Sequence, residues 1–259
     1  MSTILETIAA DKRLEVQSLK KTHPLSLLED EMPQMESHRF QDALSDPSEV
    51  HIIAELKKAS PSRGVLLEDF DTKRLAARYA SGGAAALSVL TESKYFQGAY
   101  ENLRIASEAA HLPVLCKDFI LEPYQVYHAR FCGADAILLI VALLDKHLIV
   151  ECMDIANELG LDSVIEIHDG DELQTAIEVG ANIIGVNNRN LSDFSVNLET
   201  SERLAPQIPD GTIRVSESGI FTREHITRLS GLGYNSFLIG EALVKAEDPE
   251  ALIKQLGAK

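Results

Sequence analysis

From His51 onward, short apolar runs alternate with stretches whose apolar positions recur at helical spacing. The runs predict strands at His51–Leu56, Ala85–Leu90, Pro113–Lys117, Asp135–Val141, Ser163–His168, Asn182–Asn187, Thr212–Glu217 and Asn235–Gly240. A helical pattern follows each in turn: Thr72–Ser81, Tyr100–Ala110, Tyr124–Phe131, His147–Leu159, Asp171–Val179, Leu198–Leu204, Arg223–Leu229 and Pro249–Leu256. The strands are nearly continuous in apolar character, as a parallel sheet buried on both faces requires. At Gly83, Gly133, Gly160, Gly180 and Gly233 a glycine closes a helix just before the next strand. Glycine takes the left-handed conformation without steric penalty, which permits so short a turn. Eight β-then-α units predict an α/β chain closed into a (β/α)8 TIM barrel. The rival is an open, doubly wound sheet. It is weakened because no G-x-G-x-x-G follows the first strand, where Glu55-Leu56-Lys57-Lys58-Ala59-Ser60-Pro61-Ser62 stands.

Residues 1–48 follow a different pattern. Ile4, Leu5, Ile8 and Ala9 have helical spacing, and Pro24, Pro33 and Pro47 punctuate shorter pieces. About 40 residues without disulfides or metal seldom build a core of their own. The expectation is a helical extension over 1–48 packed on a barrel of 49–259, together one domain. The apolar positions Ile4, Leu5, Ile8, Leu14 and Val16 then need burial against the barrel. A lid over the mouth that excludes water is the functional reading, and a plug on the opposite face that adds only stability is the alternative.

Composition narrows the partners. Among 259 residues, 24 Lys plus Arg stand against 40 Asp plus Glu, for a net charge of −16. Such a chain repels nucleic-acid backbones and anionic membranes, so neither is an expected partner, and an anion can bind only at a local site. Cys116, Cys132 and Cys152 are odd in number and lack C-x-x-C spacing, which fits a reducing, cytoplasmic setting. The segment Met1-Ser2-Thr3-Ile4-Leu5-Glu6 lacks a basic region leading into an apolar core, and the longest apolar run, Ala136 to Leu144, is too short for a span. Neither a signal peptide nor a membrane helix is expected.

In a barrel, the ends of the strands and the loops after them build the site. Here those ends are charged: Glu55 and Lys57 on one face of the first strand, Lys117-Asp118, Glu166, Asn187-Asn188-Arg189, and Glu217-Ser218. Any one alone reads as a residue leaving the core for solvent, but five coincident instances mark a site. Glu166 interrupts Ser163-Val164-Ile165-Glu166-Ile167, where a buried carboxylate needs a partner, and two lysines are available. Gly219 and Gly240 each precede a helix after the last two strands, the corner where barrels bind phosphate. Glu241, itself an anion, is expected to point away from it. Ser60-Pro61-Ser62-Arg63-Gly64 is either an anion-binding loop or ordinary loop chemistry. Tyr95 and Phe96 either flank a planar substrate or seal an edge. The eight histidines contain no H-x-H or H-E-x-x-H, and His168-Asp169 reads as a strand end, so no metal is expected.

The blocks Ile53-Ala54-Glu55-Leu56-Lys57-Lys58-Ala59-Ser60-Pro61-Ser62, Leu90-Thr91-Glu92-Ser93-Lys94-Tyr95-Phe96-Gln97-Gly98, Lys117-Asp118-Phe119-Ile120, Glu166-Ile167-His168, Gly185-Val186-Asn187-Asn188-Arg189-Asn190-Leu191 and Ser216-Glu217-Ser218-Gly219-Ile220 occur in this order. In them the chain resembles the indole-3-glycerol-phosphate synthases of the tryptophan pathway, over essentially its whole length. The resemblance implies ring closure of 1-(2-carboxyphenylamino)-1-deoxyribulose 5-phosphate to indole-3-glycerol phosphate, with loss of carbon dioxide and water. It also implies that Lys117 is the principal general acid, Glu166 its carboxylate counterpart, Glu55 and Lys57 the pair on the first strand, and Asn187 and Glu217 the rest of a polar ring. Ser60, Ser218, Gly219, Gly240 and Glu241 fall at the phosphate, the last through its backbone, with Arg189 and Phe96 also at the substrate. The chemistry agrees: the ketone oxygen needs a proton donor as the bond forms, and a lysine tuned to about pKa 7–8 can serve. No redox step or carbanion sink is required, so no organic cofactor is expected. Another phosphate-binding barrel enzyme, such as a sugar-phosphate isomerase, and a non-catalytic phospholigand-binding barrel remain the alternatives from the residues themselves. With the chain ending near Lys259, no fused second enzyme is expected, and association with other enzymes of the pathway stays open.

Overall fold

A computed structural model describes residues 3–190 and 194–258, so Leu191 of the fifth block lies outside the described residues. Eight parallel strands close into a barrel: β1 (His51–Leu56), β4 (Ala86–Leu90), β5 (Val114–Lys117), β6 (Ala136–Ile140), β7 (Asp162–Ile167), β8 (Ile183–Asn187), β9 (Ile213–Glu217) and β10 (Ser236–Ile239), with β1 hydrogen-bonded to β10. Each falls within one residue of its predicted ends. So do the helices α4 (Thr72–Ser81), α5 (Glu101–Ala110), α6 (Tyr124–Phe131), α7 (Lys146–Glu158), α8 (Gly170–Glu178), α9 (Glu199–Leu204), α10 (Arg223–Ser230) and α12 (Pro249–Gly257). The five junction glycines all have positive φ, between 71° and 96°. Two short features were not legible from periodicity: a hairpin of β2 (Ala59–Ser60) and β3 (Gly64–Val65), and the five-residue helix α11 (Glu241–Lys245) after the last strand.

Alternation along the strands divides the core in two. Ile52, Ala54 and Leu56 of β1 face the helices in the larger cluster, whereas Ile53 joins Ala86, Leu115, Ala136, Val164, Ile183, Val215 and Leu238 inside the barrel. Continuing that inner register by steps of two brings Glu55, Lys57, Lys117, Glu166, Asn187 and Glu217 to the mouth.

The N-terminal segment meets both ends of this barrel. Helix α1 (Ile4–Thr22), opened by a Thr3–Glu6 capping box, lies at the mouth, where Ile4, Leu5 and Ile8 line the cavity. Its Lys12 is almost fully buried and pairs with Asp118 at 2.8 Å, while Asp11 and Glu15 hold Lys94 and Ser93 of the loop after β4. Val16 is buried, but Leu14, expected to be, is 64% exposed, because it falls on the outer face of α1. Helix α2 (Leu25–Asp30) packs on α6. Helix α3 (Arg39–Ala43) lies at the other end, near the starts of the strands, where Arg39 reaches Asp135 and His38 and the Gln41 amide reach Asp162. From there Phe40 and Leu44, fully buried, enter the inner cluster. Lid and plug positions are thus both occupied, by different parts of one segment. Among the described residues, no helix is long and apolar enough to cross a membrane.

Candidate active site

The cavity at the mouth measures about 1120 Å³ including its open side. Glu55, Lys57, Ser60, Phe96, Lys117, Glu166, Asn187, Arg189, Glu217, Ser218, Gly240 and Glu241 all line it. Gly219 does not: it is packed beneath Val196 and Leu198, one residue beyond Ser218. The cavity's apolar lining comes from Phe96 and Phe119, whose ring centroids are 6.2 Å apart, and from Leu138, Ile140 and Leu238. Phe119 was not singled out from sequence, although it follows Lys117-Asp118 directly in the third block.

The centre is an ammonium between two carboxylates. Lys117 Nζ donates to Glu166 Oε2 at 2.7 Å and to Glu217 Oε2, and Asn187 Nδ2 donates to Glu166 Oε1 at 3.3 Å. Lys57 pairs with Glu55 beside Gly240. At both glycines near these carboxylates a side chain would force the carboxylate to move. A Cβ on Gly240 would lie 2.1 Å from Glu55 Oε2, and one on Gly185 would lie 2.3 Å from Glu217 Oε1.

Electrostatics correct one expectation. Burial opposes the charge of Lys117, but Glu166, Glu217 and Glu55 outweigh it and hold the ammonium well above its ordinary range, not near pKa 7–8. The proton that titrates near neutrality belongs to Glu217, which burial pushes up to about 7 against the pull of Lys117 and with the help of Glu166's charge. Its Oε1 is buried with no hydrogen-bond partner among the described residues. Glu166 is opposite in sense: burial works against its charge, but Lys117 and His168 hold it well below the usual carboxylate range. Two like carboxylates on one ammonium are therefore inequivalent.

The surrounding loops fix these groups. Buried Asn188 accepts from the backbone and hydroxyl of Ser201, and its amide donates to Ser216 Oγ and to the carbonyls of Glu217 and Ser218, clamping the end of β9. The buried carboxylate of Glu92 accepts the amides of Lys94, Tyr95 and Phe96, which folds their loop so that Phe96 faces the cavity. Tyr95, expected beside it, instead donates to Asp11 of α1. Glu241 does not point away: it lines the cavity, with Arg63 Nε at 3.3 Å, Arg189 Nη2 at 3.8 Å and Lys245 at 2.6 Å. Three cations make an anion tolerable there, and they also hold it below the ordinary carboxylate range against the effect of partial burial. His168, read as a mere strand end, shares the inward face with Glu166 two residues before it.

Comparison with known proteins agrees with this geometry. The family model for indole-3-glycerol phosphate synthase matches residues 5–256. Proteins of that name from Chlorobium luteolum and Koribacter versatilis are 48% and 45% identical, over 95% and 99% of each chain respectively. Among solved structures, 3-hexulose-6-phosphate synthase from Salmonella typhimurium superposes with a TM-score of 0.65 at 14% identity, covering 80% of this chain and 97% of that one, a likeness of fold alone. A match across nearly the whole chain, at this identity and on a barrel with this ring of charges, places the protein in the indole-3-glycerol phosphate synthase family.

Proposed function

We propose that the family's ring closure runs here with Lys117 as principal proton donor, and the observation that carries this is its ammonium at the cavity centre between Glu166 and Glu217. The substrate's aromatic carbon attacks the ketone, and the carbonyl oxygen takes a proton from Lys117 as the bond forms. Since Lys117 is fully protonated at rest, it is always armed. Its proton is given up more readily once protonation of Glu217 reduces the negative charge that holds it. Carbon dioxide then leaves the quaternary carbon, and the new hydroxyl departs as water with a proton from Lys57, or from Lys117 after it has regained one from solvent, while Glu166 takes up a proton released as the indole forms. The ammonium of Lys57 is a fixed cation that can also orient the substrate carboxylate. Phe96 and Phe119 provide an apolar wall for the aromatic ring.

The phosphate belongs at the corner of Ser60, Ser218, Gly219, Gly240 and the Glu241 amide. Short helix α11 begins there, and Arg63 and Arg189 add positive charge. Helix α1 then serves as a lid, for which Ile4, Leu5 and Ile8 at the cavity are the support. The three free cysteines fit work in the cytoplasm. Incubation with 1-(2-carboxyphenylamino)-1-deoxyribulose 5-phosphate tests the reading, with indole fluorescence expected to grow against a background free of tryptophan. No turnover under any pH or salt condition that preserves the fold rejects it.

A further inference from the structure

Two half-buried groups, His168 and Glu172, form a chain behind the Glu166 carboxylate. Glu172 Oε2, on the first turn of α8, accepts from the backbone amide of His168 at 2.7 Å and lies 3.0 Å from His168 Nδ1. On the far side of the ring, His168 Nε2 faces Glu166 Oε1 at 3.4 Å. That contact does not have the alignment of a hydrogen bond, so buried Nε2 has no hydrogen-bond partner among the described residues. Catalytic contacts of this kind often tighten only when substrate binds.

An imidazole between two carboxylates needs a proton on each nitrogen, because a bare nitrogen would set its lone pair against an oxygen of the same polarity. From this placement we propose that His168 is a positioning residue that, as an imidazolium held by Glu172, fixes the orientation and ionised state of Glu166 and so decides which of the two carboxylates on Lys117 acts as the base. The inference rests on Glu166 having the role proposed above. The asymmetry of the pair is the reason for it. Glu166 has Asn187 and His168 about its second oxygen, whereas the second oxygen of Glu217 has no hydrogen-bond partner. Take away the histidine's charge and Asn187 alone distinguishes the two carboxylates, so the proton now kept on Glu217 spreads towards Glu166.

Among the described residues, the charged and polar groups around His168 come from several elements: Glu166 lies near the end of β7, just before it, Asp169 and Glu172 belong to the start of α8, Asn187 and Arg189 come from the end of β8, and Arg203 on α9 lines the same side cavity. Burial opposes the charge of His168, but its contacts with the two carboxylates of Glu166 and Glu172 prevail and raise it to about 10. The imidazolium therefore persists across the working range.

The test uses the full chain and the kcat and KM pH profiles of wild type, His168→Ala, His168→Gln and Glu172→Gln. In His168→Ala, kcat should fall about 10- to 100-fold with KM little changed. The acid limb of the kcat profile should also move up by about 1–3 units. His168→Gln keeps a donor without charge, so it should recover part of kcat and leave the limb displaced. Glu172→Gln should move the limb the same way, less far, which covers the case in which the alanine variant fails to fold. Nitrogen NMR of the histidines should show both ring nitrogens of His168 protonated at pH 8. Unchanged profiles in the variants, or a neutral His168 at pH 8, overturn the proposal. Absence of turnover in the wild type would instead strike the functional reading on which it rests.

Discussion

Gly185→Ala isolates the placement of one carboxylate. Gly185 lies in β8 with its missing side chain on the inner face, and a Cβ built there falls 2.3 Å from Glu217 Oε1 and 3.2 Å from Val164 Cγ1. Tolerable contacts begin at 3.0–3.4 Å, so the carboxylate has to move by about 0.7–1.1 Å. A displacement near 1 Å in a catalytic group can cost about 10²-fold in rate. Stability responds differently. Replacing a strand glycine with alanine gains about 0.5–1 kcal/mol from the unfolded chain, which offsets part of the contact strain. The expected result is a kcat lower by about two orders of magnitude. The melting temperature should lie within a few degrees of wild type. Steady-state indole fluorescence and a thermal melt on the same preparation measure both. A kcat within about twofold of wild type in a folded variant would refute the claim that the position of Glu217 matters to the chemistry.

Lys117→Ala should lower kcat by about 10²–10⁴ while the variant still binds the product indole-3-glycerol phosphate, measured by calorimetry. Inorganic phosphate should inhibit competitively, and Ser218→Asp, which puts a like charge at that corner, should weaken both the inhibition and substrate binding. Lid and plug separate by substitution better than by deletion, since removing residues 1–45 also removes Phe40 and Leu44 from the barrel interior. Ile8→Ser should raise KM and lower kcat, whereas Phe40→Ala should lose about 3–5 kcal/mol of stability with kcat kept in the folded fraction. Burial pushes His128 down to about 4, against an ordinary 6.5, so it is neutral in the native state over that interval while the unfolded chain takes up a proton. Its contribution is present above pH 6.5 and is lost as pH falls towards 4, about 3 kcal/mol in all, and the pH dependence of unfolding in denaturant should flatten there in His128→Gln.

The sequence by itself determined the elements and the ring. Apolar periods of 2 and 3.6 residues are local, so the eight barrel strands and the helix that follows each could be read off the chain, as could the polar residues that break the inner register at the strand ends. What it could not supply was distance. Closing the barrel brings Lys117 of β5 against Glu166 and Glu217 of β7 and β9, 49 and 100 residues away, and leaves Lys57 to Glu55. Only that pairing decides that the lysine is held charged and that Glu217 titrates near neutrality, because Coulomb interactions depend on separation and burial and not on spacing along a chain. The same holds for Glu241, which closure surrounds with cations, and for His168, whose inward register was legible but whose two carboxylate neighbours were not both. The N-terminal segment is the plainest case. Its apolar positions required burial, but nothing local could say that α1 meets the mouth while Phe40 and Leu44 fill the opposite end, since hydrophobic burial is non-directional and the barrel alone provides the two surfaces that accept them.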